Sequence, residues 1–172
     1  LPGTHSKWIE VRDGRIVRLA TMMTGELYAI LREHSILGAG IPDTTGSDLN
    51  PDAFDAGVRA ARDSAAAGAL TKLFSARALM LDGRLALDAV PDYLSGLLIG
   101  EELRAGLASG WLRGDATPLL VGDESLCARY RRAAAVFNLA EPDTVLDASA
   151  HGLWRIGRVA LVGEPIPAYG ER

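Results

Sequence analysis

The sequence predicts an α/β domain whose strands run in mixed directions. Three observations support this prediction: a hairpin pattern at the start, a helical middle rich in alanine and leucine, and two strand–helix units in the last third. The 172 residues fit one domain, and 48% of them are hydrophobic, which is enough to build a core. Because only 6% are aromatic, alanine and leucine must fill most of that core.

The first 38 residues predict a hairpin followed by a helix. Residues 7–12 and 15–22 are rich in strand formers, and Asp13-Gly14 between them suits the positive φ angles of a two-residue turn. Thr24 is expected to cap a helix that begins near Gly25 and ends between Ser35 and Gly38.

The middle of the chain predicts a loop over 40–50 and then three helices, over about 50–68, 70–81 and 90–109. Gly96 and Gly100 interrupt the apolar spacing of the third helix. Each glycine costs about 0.8–1 kcal/mol relative to alanine, so another group is expected to approach that face closely.

The last third predicts short strands over 118–121 and 144–146. Each is followed by a helix, over about 125–139 and 148–161. Cys127 and Trp154 fall within these helices and are expected to lie in the core.

Composition excludes several functional classes. The net charge of −4 and the pI near 5.4 offer no basic surface for nucleic acid. One cysteine excludes an internal disulfide or a multi-cysteine metal site, and the three histidines lack metal-ligand spacing. Since no apolar run approaches the roughly 20 residues of a membrane span, we predict a soluble protein of the reducing cytoplasm.

The strongest chemical candidate is the segment Gly3-Thr4-His5-Ser6-Lys7, just before the first strand. Glycine lets the backbone approach an anion, two hydroxyls can donate hydrogen bonds, and lysine adds charge, as phosphate binding requires. An ordinary turn with capping hydroxyls explains the same residues.

Two further segments have functional and structural interpretations. Gly122-Asp123 lies between a strand and a helix, where ligands often bind in open α/β sheets, although Asp123 can simply cap the helix. Ser75 and Arg77 place a hydroxyl and a guanidinium in an apolar helix, which suits an anion in a cleft or an ordinary surface arginine.

Taken together, seven segments resemble consecutive motifs of the 2-dehydro-3-deoxygalactonokinase family, in order and in rough spacing. They cover nearly the whole chain, and the first is fairly specific. These segments are LPGTHSKW (1–8), MTGEL (23–27), EHSILG (33–38), LFSAR (73–77), YLSGLLIGEE (93–102), VGD (121–123) and GLWRI (152–156).

This resemblance implies a ribonuclease H-like lobe of the actin-like ATPase type: one mixed sheet with helices on both faces and a helical insertion over about 50–110. The chain would be the C-terminal lobe, and the N-terminal lobe would be absent. The implied site residues are Gly3, Thr4, His5 and Ser6 for phosphate, Gly96, Gly100, Gly122 and Asp123 on the adenosine side, and Ser75 and Arg77 for the substrate or the cleft.

The implied activity is phosphorylation of 2-dehydro-3-deoxy-D-galactonate to its 6-phosphate, with ATP and Mg²⁺ as cofactors. The catalytic base and most sugar contacts would belong to the N-terminal lobe, which would be the main partner of this chain, so these 172 residues alone are expected to be inactive. A kinase of the same superfamily with another substrate, a non-catalytic nucleotide-binding module and a homo-oligomer all stay open.

Overall fold

The computed structural model describes residues 1–41, 49–112 and 117–163. Within these residues the chain forms four strands, six α-helices and three short 3₁₀ turns. In chain order the strands and helices are β1 (Ser6–Arg12), β2 (Arg15–Met22), α1 (Thr24–His34), α2 (Pro51–Arg62), α3 (Ser75–Leu81), α4 (Val90–Ala108), β3 (Leu119–Val121), α5 (Glu124–Val136), β4 (Asp143–Val145) and α6 (Ala148–Val162). None of the helices in these ranges is long and apolar enough to cross a membrane.

Helix α4 is the centre of the molecule, and α2 packs along it. A methyl group on Gly96 would overlap the carbonyl oxygen of Phe54, and one on Gly100 would lie 2.9 Å from Cβ of Ala61. The expected close approach to this face of the third predicted helix is therefore confirmed. Helix α2 is the element that makes it.

Two apolar clusters flank α4. The first joins residues of α2, α3 and α4, including Leu94 and Leu97, and the second joins Phe54 to α5. Cys127 is fully buried in the second cluster, as the sequence predicts, and burial raises the pKa of its thiol. The core is thus built mainly from helices.

The hairpin forms as predicted. Asp13 has φ 50° and Gly14 has φ 70°, as in the tight turns that match the twist of paired strands. Strands β1 and β2 pair antiparallel, with a register shift between Glu10 and Val11. Trp8 packs on α4 at Gly106, where any side chain would collide with the indole ring.

The strand pairing differs from the single mixed sheet that the family resemblance implies. In the described part of the chain, β1 and β2 form one two-stranded sheet, and β3 and β4 form a separate parallel pair. Strands β3 and β4 have only three residues each. Leu1 exchanges two backbone hydrogen bonds with Lys7, and Pro2 lies beside Gly122, so the first two residues occupy the space between the two pairs.

Two predicted helices and one predicted core residue also need correction, and one predicted loop stays untested. Helix α2 ends at Arg62, and the next α-helix begins only at Ser75, with two 3₁₀ turns between them. Trp154 was expected in the core, but it is 67% exposed, because α6 presents this side chain to solvent. The predicted loop over 40–50 falls largely on residues 42–48, which lie outside the described ranges.

Candidate functional site

A cleft of about 260 Å³ lies where the turn before β1 meets three helices. Its polar wall includes Gly3 and Thr4 of the turn and the first turn of α1. The opposite wall is formed by α4 and α5, and it includes the apolar side chains of Leu98, Ile99 and Leu126. Such a combination of an apolar slot and a few converging polar groups is typical of small-molecule sites.

The turn lies directly against the start of α1, and Gly25 makes this possible. A methyl group there would lie 2.7 Å from the carbonyl oxygen of Gly3 and 2.8 Å from Cα of Thr4. The amide of Glu26 donates to the carbonyl oxygen of Thr4 at 3.0 Å, and the side chain of Glu26 also contacts the ring of His5. Two of the motifs in the sequence therefore form one structural unit.

Thr24 does not cap α1, contrary to the prediction. Met23 occupies the N-cap position and makes no side-chain cap bond, while Thr24 is the first helical residue. Its hydroxyl donates instead to Oε2 of Glu102 on α4. Helix α1 therefore begins beside the cleft without a side chain over its first amides.

The four residues predicted to bind phosphate are not equivalent. Gly3 and Thr4 line the cleft. His5 is half-exposed and paired with Glu26, and it lies outside the lining. Ser6 is 1% exposed and its hydroxyl donates to Oε1 of Glu102 at 2.6 Å, so this side chain faces the interior.

Glu102 is the most highly connected polar group of the region, and the sequence analysis missed it as a site residue. It is 4% exposed, and its carboxylate accepts hydrogen bonds from Ser6, Trp8, Thr24 and Tyr130. The sequence signal that could have found Glu102 is an acidic residue close to the apolar, glycine-containing part of a predicted helix. Glu101 beside it carries the same signal, so sequence could not distinguish the two.

Tyr130 joins this carboxylate to the cleft. Its ring lines the cleft, and its hydroxyl donates to Oε2 of Glu102 at 2.8 Å. Burial, reinforced by the adjacent negative charge, raises the pKa of the Tyr130 phenol well above its usual range. The phenol therefore stays protonated and keeps donating.

Arg129 places a cation on the cleft wall and was also missed. Its Nη1 lies 2.9 Å from Oδ1 of Asp92 and 3.3 Å from Oγ of Ser95. The second oxygen of Asp92 accepts from the amide of Asn50 at 2.8 Å. One carboxylate therefore holds the guanidinium at the cleft and partly neutralises its charge.

Gly122-Asp123 lies next to the first turn of the chain. A methyl group on Gly122 would lie 3.4 Å from the carbonyl oxygen of Pro2 and 3.6 Å from Sγ of Cys127. The Asp123 carboxylate caps α5 by accepting from Oγ of Ser125 at 2.7 Å and from the amide of Leu126 at 3.1 Å, and these bonds lower the pKa of Asp123. The Gly122-Asp123 turn and the start of the chain are therefore neighbours, although the cleft lining includes neither Gly122 nor Asp123.

The other predicted site residues lie apart from the cleft lining. Gly96 and Gly100 pack against α2, so helix packing explains them without a ligand. The hydroxyl of Ser75 bonds the carbonyl oxygen of Lys72 at 2.6 Å and the phenol of Tyr93 at 2.7 Å. Arg77 lies two residues further along the same helix, and neither it nor Ser75 lines the cleft.

Comparisons with known proteins agree with the motifs. The family model described as 2-keto-3-deoxy-galactonokinase matches residues 1–156. This chain belongs to that family. The resemblance inferred from the seven segments is thereby confirmed.

Curated relatives of this galactonokinase family are similar over most of the chain. A 2-dehydro-3-deoxygalactonokinase of Escherichia coli K12 is 38% identical over 133 residues, which are 77% of this chain and 43% of that protein. A Rhizobium meliloti protein named "Probable 2-dehydro-3-deoxygalactonokinase DgoK1" is 39% identical over 135 residues, 77% of this chain and 42% of that protein. The chain therefore spans less than half the length of these relatives.

A solved structure shows the same fold. A Sinorhizobium meliloti protein assigned as a 2-dehydro-3-deoxygalactonokinase superposes with a TM-score of 0.79 at 32% identity. The match covers 93% of this chain and 52% of the other. The α/β architecture predicted from the sequence is thus shared with a member of the galactonokinase family.

Proposed function

We propose that this chain is the nucleotide-binding C-terminal lobe of a kinase that transfers phosphate from ATP to 2-dehydro-3-deoxy-D-galactonate, giving the 6-phosphate. The main support is that a chain of the galactonokinase family places its glycine–threonine turn against the start of α1, on the wall of a cleft. The ribonuclease H-like, actin-like type of the lobe and its location in the cytoplasm stay predictions.

The cleft suits a nucleoside triphosphate. Gly3 and Thr4 would face the phosphates, together with the first turn of α1, because a helix start carries a positive partial charge. Arg129 would add positive charge on the opposite wall. The apolar wall, to which Leu98 and Leu126 belong, would receive the base.

Magnesium would reach this site bound to the phosphates. The lining of the cleft contains no acidic side chain, and no group of three or more metal-ligating side chains occurs in the described ranges. Both oxygens of nearby Glu102 already accept two hydrogen bonds each. When bound, the ion would supply charge neutralisation at the phosphates.

Phosphoryl transfer asks a protein mainly to position its substrates and to stabilise charge. In this proposal Thr4 donates its hydroxyl to a phosphate oxygen, and Gly3 lets the backbone come close enough to do the same. The base and the sugar contacts come from the N-terminal lobe. Closure of the two lobes would exclude water, which otherwise competes for the phosphate.

The test compares the 172-residue chain with a longer protein that supplies the N-terminal lobe ahead of Leu1. ADP release is measured with Mg-ATP, with and without 2-dehydro-3-deoxy-D-galactonate. We expect release that depends on the sugar acid from the longer protein only. Turnover by the short chain would contradict the assignment of the base to the other lobe.

The same assay separates the alternatives. A panel of other sugars and sugar acids, tested on the longer protein, would reveal a different substrate. Nucleotide binding without transfer to any of them would indicate a non-catalytic module. Thr4→Ala should weaken ATP binding in the longer protein, whereas Ser75→Ala, away from the cleft, should not.

A further inference from the structure

Glu102 is a buried carboxylate for which the proposed reaction has no chemical use. Its four partners are neutral donors: two hydroxyls, a phenol and an indole N–H. Burying a charge is costly unless it is fully hydrogen-bonded. A carboxylate can accept about four hydrogen bonds, so these four partners satisfy Glu102.

The four donors come from three separate elements. Ser6 and Trp8 of β1 donate to Oε1, each at 2.6 Å. Thr24 of α1 and Tyr130 of α5 donate to Oε2. One side chain of α4 therefore connects three elements: β1, which follows the Gly3-Thr4 turn, α1, which packs against that turn, and α5, which forms part of the cleft wall.

These connections act close to the cleft. Thr24 and Tyr130 are themselves part of its lining. Ser6 is two residues from Thr4, so the bond from Ser6 fixes the chain just after the turn. The position of both walls thus depends on a single carboxylate.

One helical turn further along α4, Gly106 strengthens this arrangement. The indole ring of Trp8 occupies the space that a side chain at Gly106 would need. The same ring forms a T-shaped pair with Trp111, with centroids 6.1 Å apart. The N–H of Trp8 therefore points at Glu102 from a ring that cannot shift easily.

We propose that Glu102 is a positioning residue for nucleotide binding: it holds the Gly3-Thr4 turn, the start of α1 and the Tyr130 wall in their relative places. This inference rests on the proposed function. Glutamine should not replace glutamate, because its amide group is a donor and would face two of the four donors without an acceptor for them.

The experiment uses the natural protein in which this sequence occurs and compares Glu102→Gln with Glu101→Gln. Glu101 is a matched control, because it lies on the same helix but bonds Arg104 and the amide of Ala69 instead. For Glu102→Gln we expect the KM for ATP to rise about tenfold while the KM for the sugar acid stays within about twofold. For Glu101→Gln neither KM should change.

The division between the two KM values distinguishes positioning from general destabilisation. A variant that merely unfolds more often lowers the concentration of active enzyme, and hence the apparent kcat, without changing either KM. An unchanged KM for ATP in folded Glu102→Gln would therefore overturn the proposal. If the parent protein does not phosphorylate the sugar acid, the proposed function fails, and calorimetric titration with an ATP analogue still tests Glu102.

A second pair of variants decides the matter if Glu102→Gln does not fold. Ser6→Ala removes one of the four donors, and Ser64→Ala removes a buried hydroxyl that bonds the carbonyl oxygen of Ala61 at 2.6 Å, away from the cleft lining. We expect weaker ATP binding, by about threefold, for Ser6→Ala alone. Equal effects of the two substitutions, or none for Ser6→Ala, would contradict the positioning role.

Discussion

At Gly25 the space for a side chain is already taken by the backbone of the Gly3-Thr4 turn, whose nearest atoms would lie 2.7 Å and 2.8 Å from an added methyl group. Backbone atoms cannot swing aside as the end of a flexible side chain can. Gly25→Ala should therefore lift the turn and weaken the bond from Glu26 to Thr4. We expect a loss of about 1–3 kcal/mol in the free energy of unfolding by urea, despite the higher helix propensity of alanine.

The control for Gly25→Ala is Gly152→Ala in α6, where no heavy atom lies within 4 Å of the added methyl group. Only helix propensity acts at that position, so we expect stabilisation of up to about 1 kcal/mol. If both alanines stabilise the protein, then the turn does not depend on contact with α1.

Asp123 gives a prediction about pH. Hydrogen bonds from Ser125 and Leu126 lower its pKa from the ordinary value of 3.8. A carboxylate whose pKa is lower in the folded state contributes stability above its unfolded pKa and loses it as the pH falls through the folded pKa. Asp123→Asn keeps an oxygen for the cap but removes the charge.

Urea unfolding of the parent and of Asp123→Asn should therefore differ most near pH 6 and progressively less below about pH 4. Asp82→Asn, near the end of α3, controls for the loss of a negative charge at a position that caps no helix start. A difference that grows on acidification would show that the capping carboxylate does not have a lowered pKa.

Residues whose role depends on neighbours in sequence were the predictable ones. Capping of α5 was one of two interpretations of Asp123, and the cap is observed, because the amide from which it accepts follows only three residues later. Ser6 was expected to face a ligand, yet its partner Glu102 is 96 residues away. Only the tertiary structure shows which of the polar groups around the turn face inward.

At the scale of elements, contact between α2 and α4 should be the feature least tolerant of substitution. A methyl group on Gly96 would overlap the carbonyl oxygen of Phe54, and one on Gly57 would overlap that of Tyr93. Gly96→Ala should force the helices apart and cost about 3 kcal/mol in urea unfolding, at the upper end of overpacking effects.

Gly157→Ala is the control for this contact, because Gly157 is also helical and has no neighbour within 4 Å. It should be neutral or stabilising. A small effect of Gly96→Ala would mean that α2 can slide along α4, and then close packing would not explain the two glycines that interrupt the apolar spacing of α4.

Among the elements, too, those that local sequence specifies could be predicted, and those that tertiary contacts specify could not. The hairpin was predictable because Asp13-Gly14 specifies its turn locally. The end of α2 was not, because the alanines at 65–67 favour continuing the helix. The side chains of α4 decide otherwise: Arg104 donates to the carbonyl oxygen of Ala65 at 3.0 Å, and Glu101 accepts from the amide of Ala69 at 3.1 Å.

For the whole molecule, the arrangement of strands could be predicted only in part. Strand formation depends on local composition, which identified the four strands of the described ranges. Their assembly depends on which edges meet, and here Leu1 and Pro2 lie between the two pairs, beside Lys7 and Gly122. The helices of the middle region therefore supply most of the core, and the two pairs of strands lie at its side.

Stability should consequently be uneven across the molecule. Helix α4 is buried along most of its length, whereas α6 exposes Leu153, Trp154 and Ile156, and the hairpin exposes Ile16 near its turn. Amides in regions with few buried contacts exchange through local opening, and amides of the core exchange only on global unfolding. Hydrogen exchange of the 172-residue chain, followed by mass spectrometry, should therefore be slowest in α4 and fastest in α6 and at the hairpin turn.

Adding urea well below the unfolding midpoint should accelerate exchange in α4 most steeply, because global opening exposes the most surface. If α6 were protected as strongly as α4, its apolar side chains would have to be covered in solution, for example by a second copy of the chain, and protection that rises with protein concentration would show this.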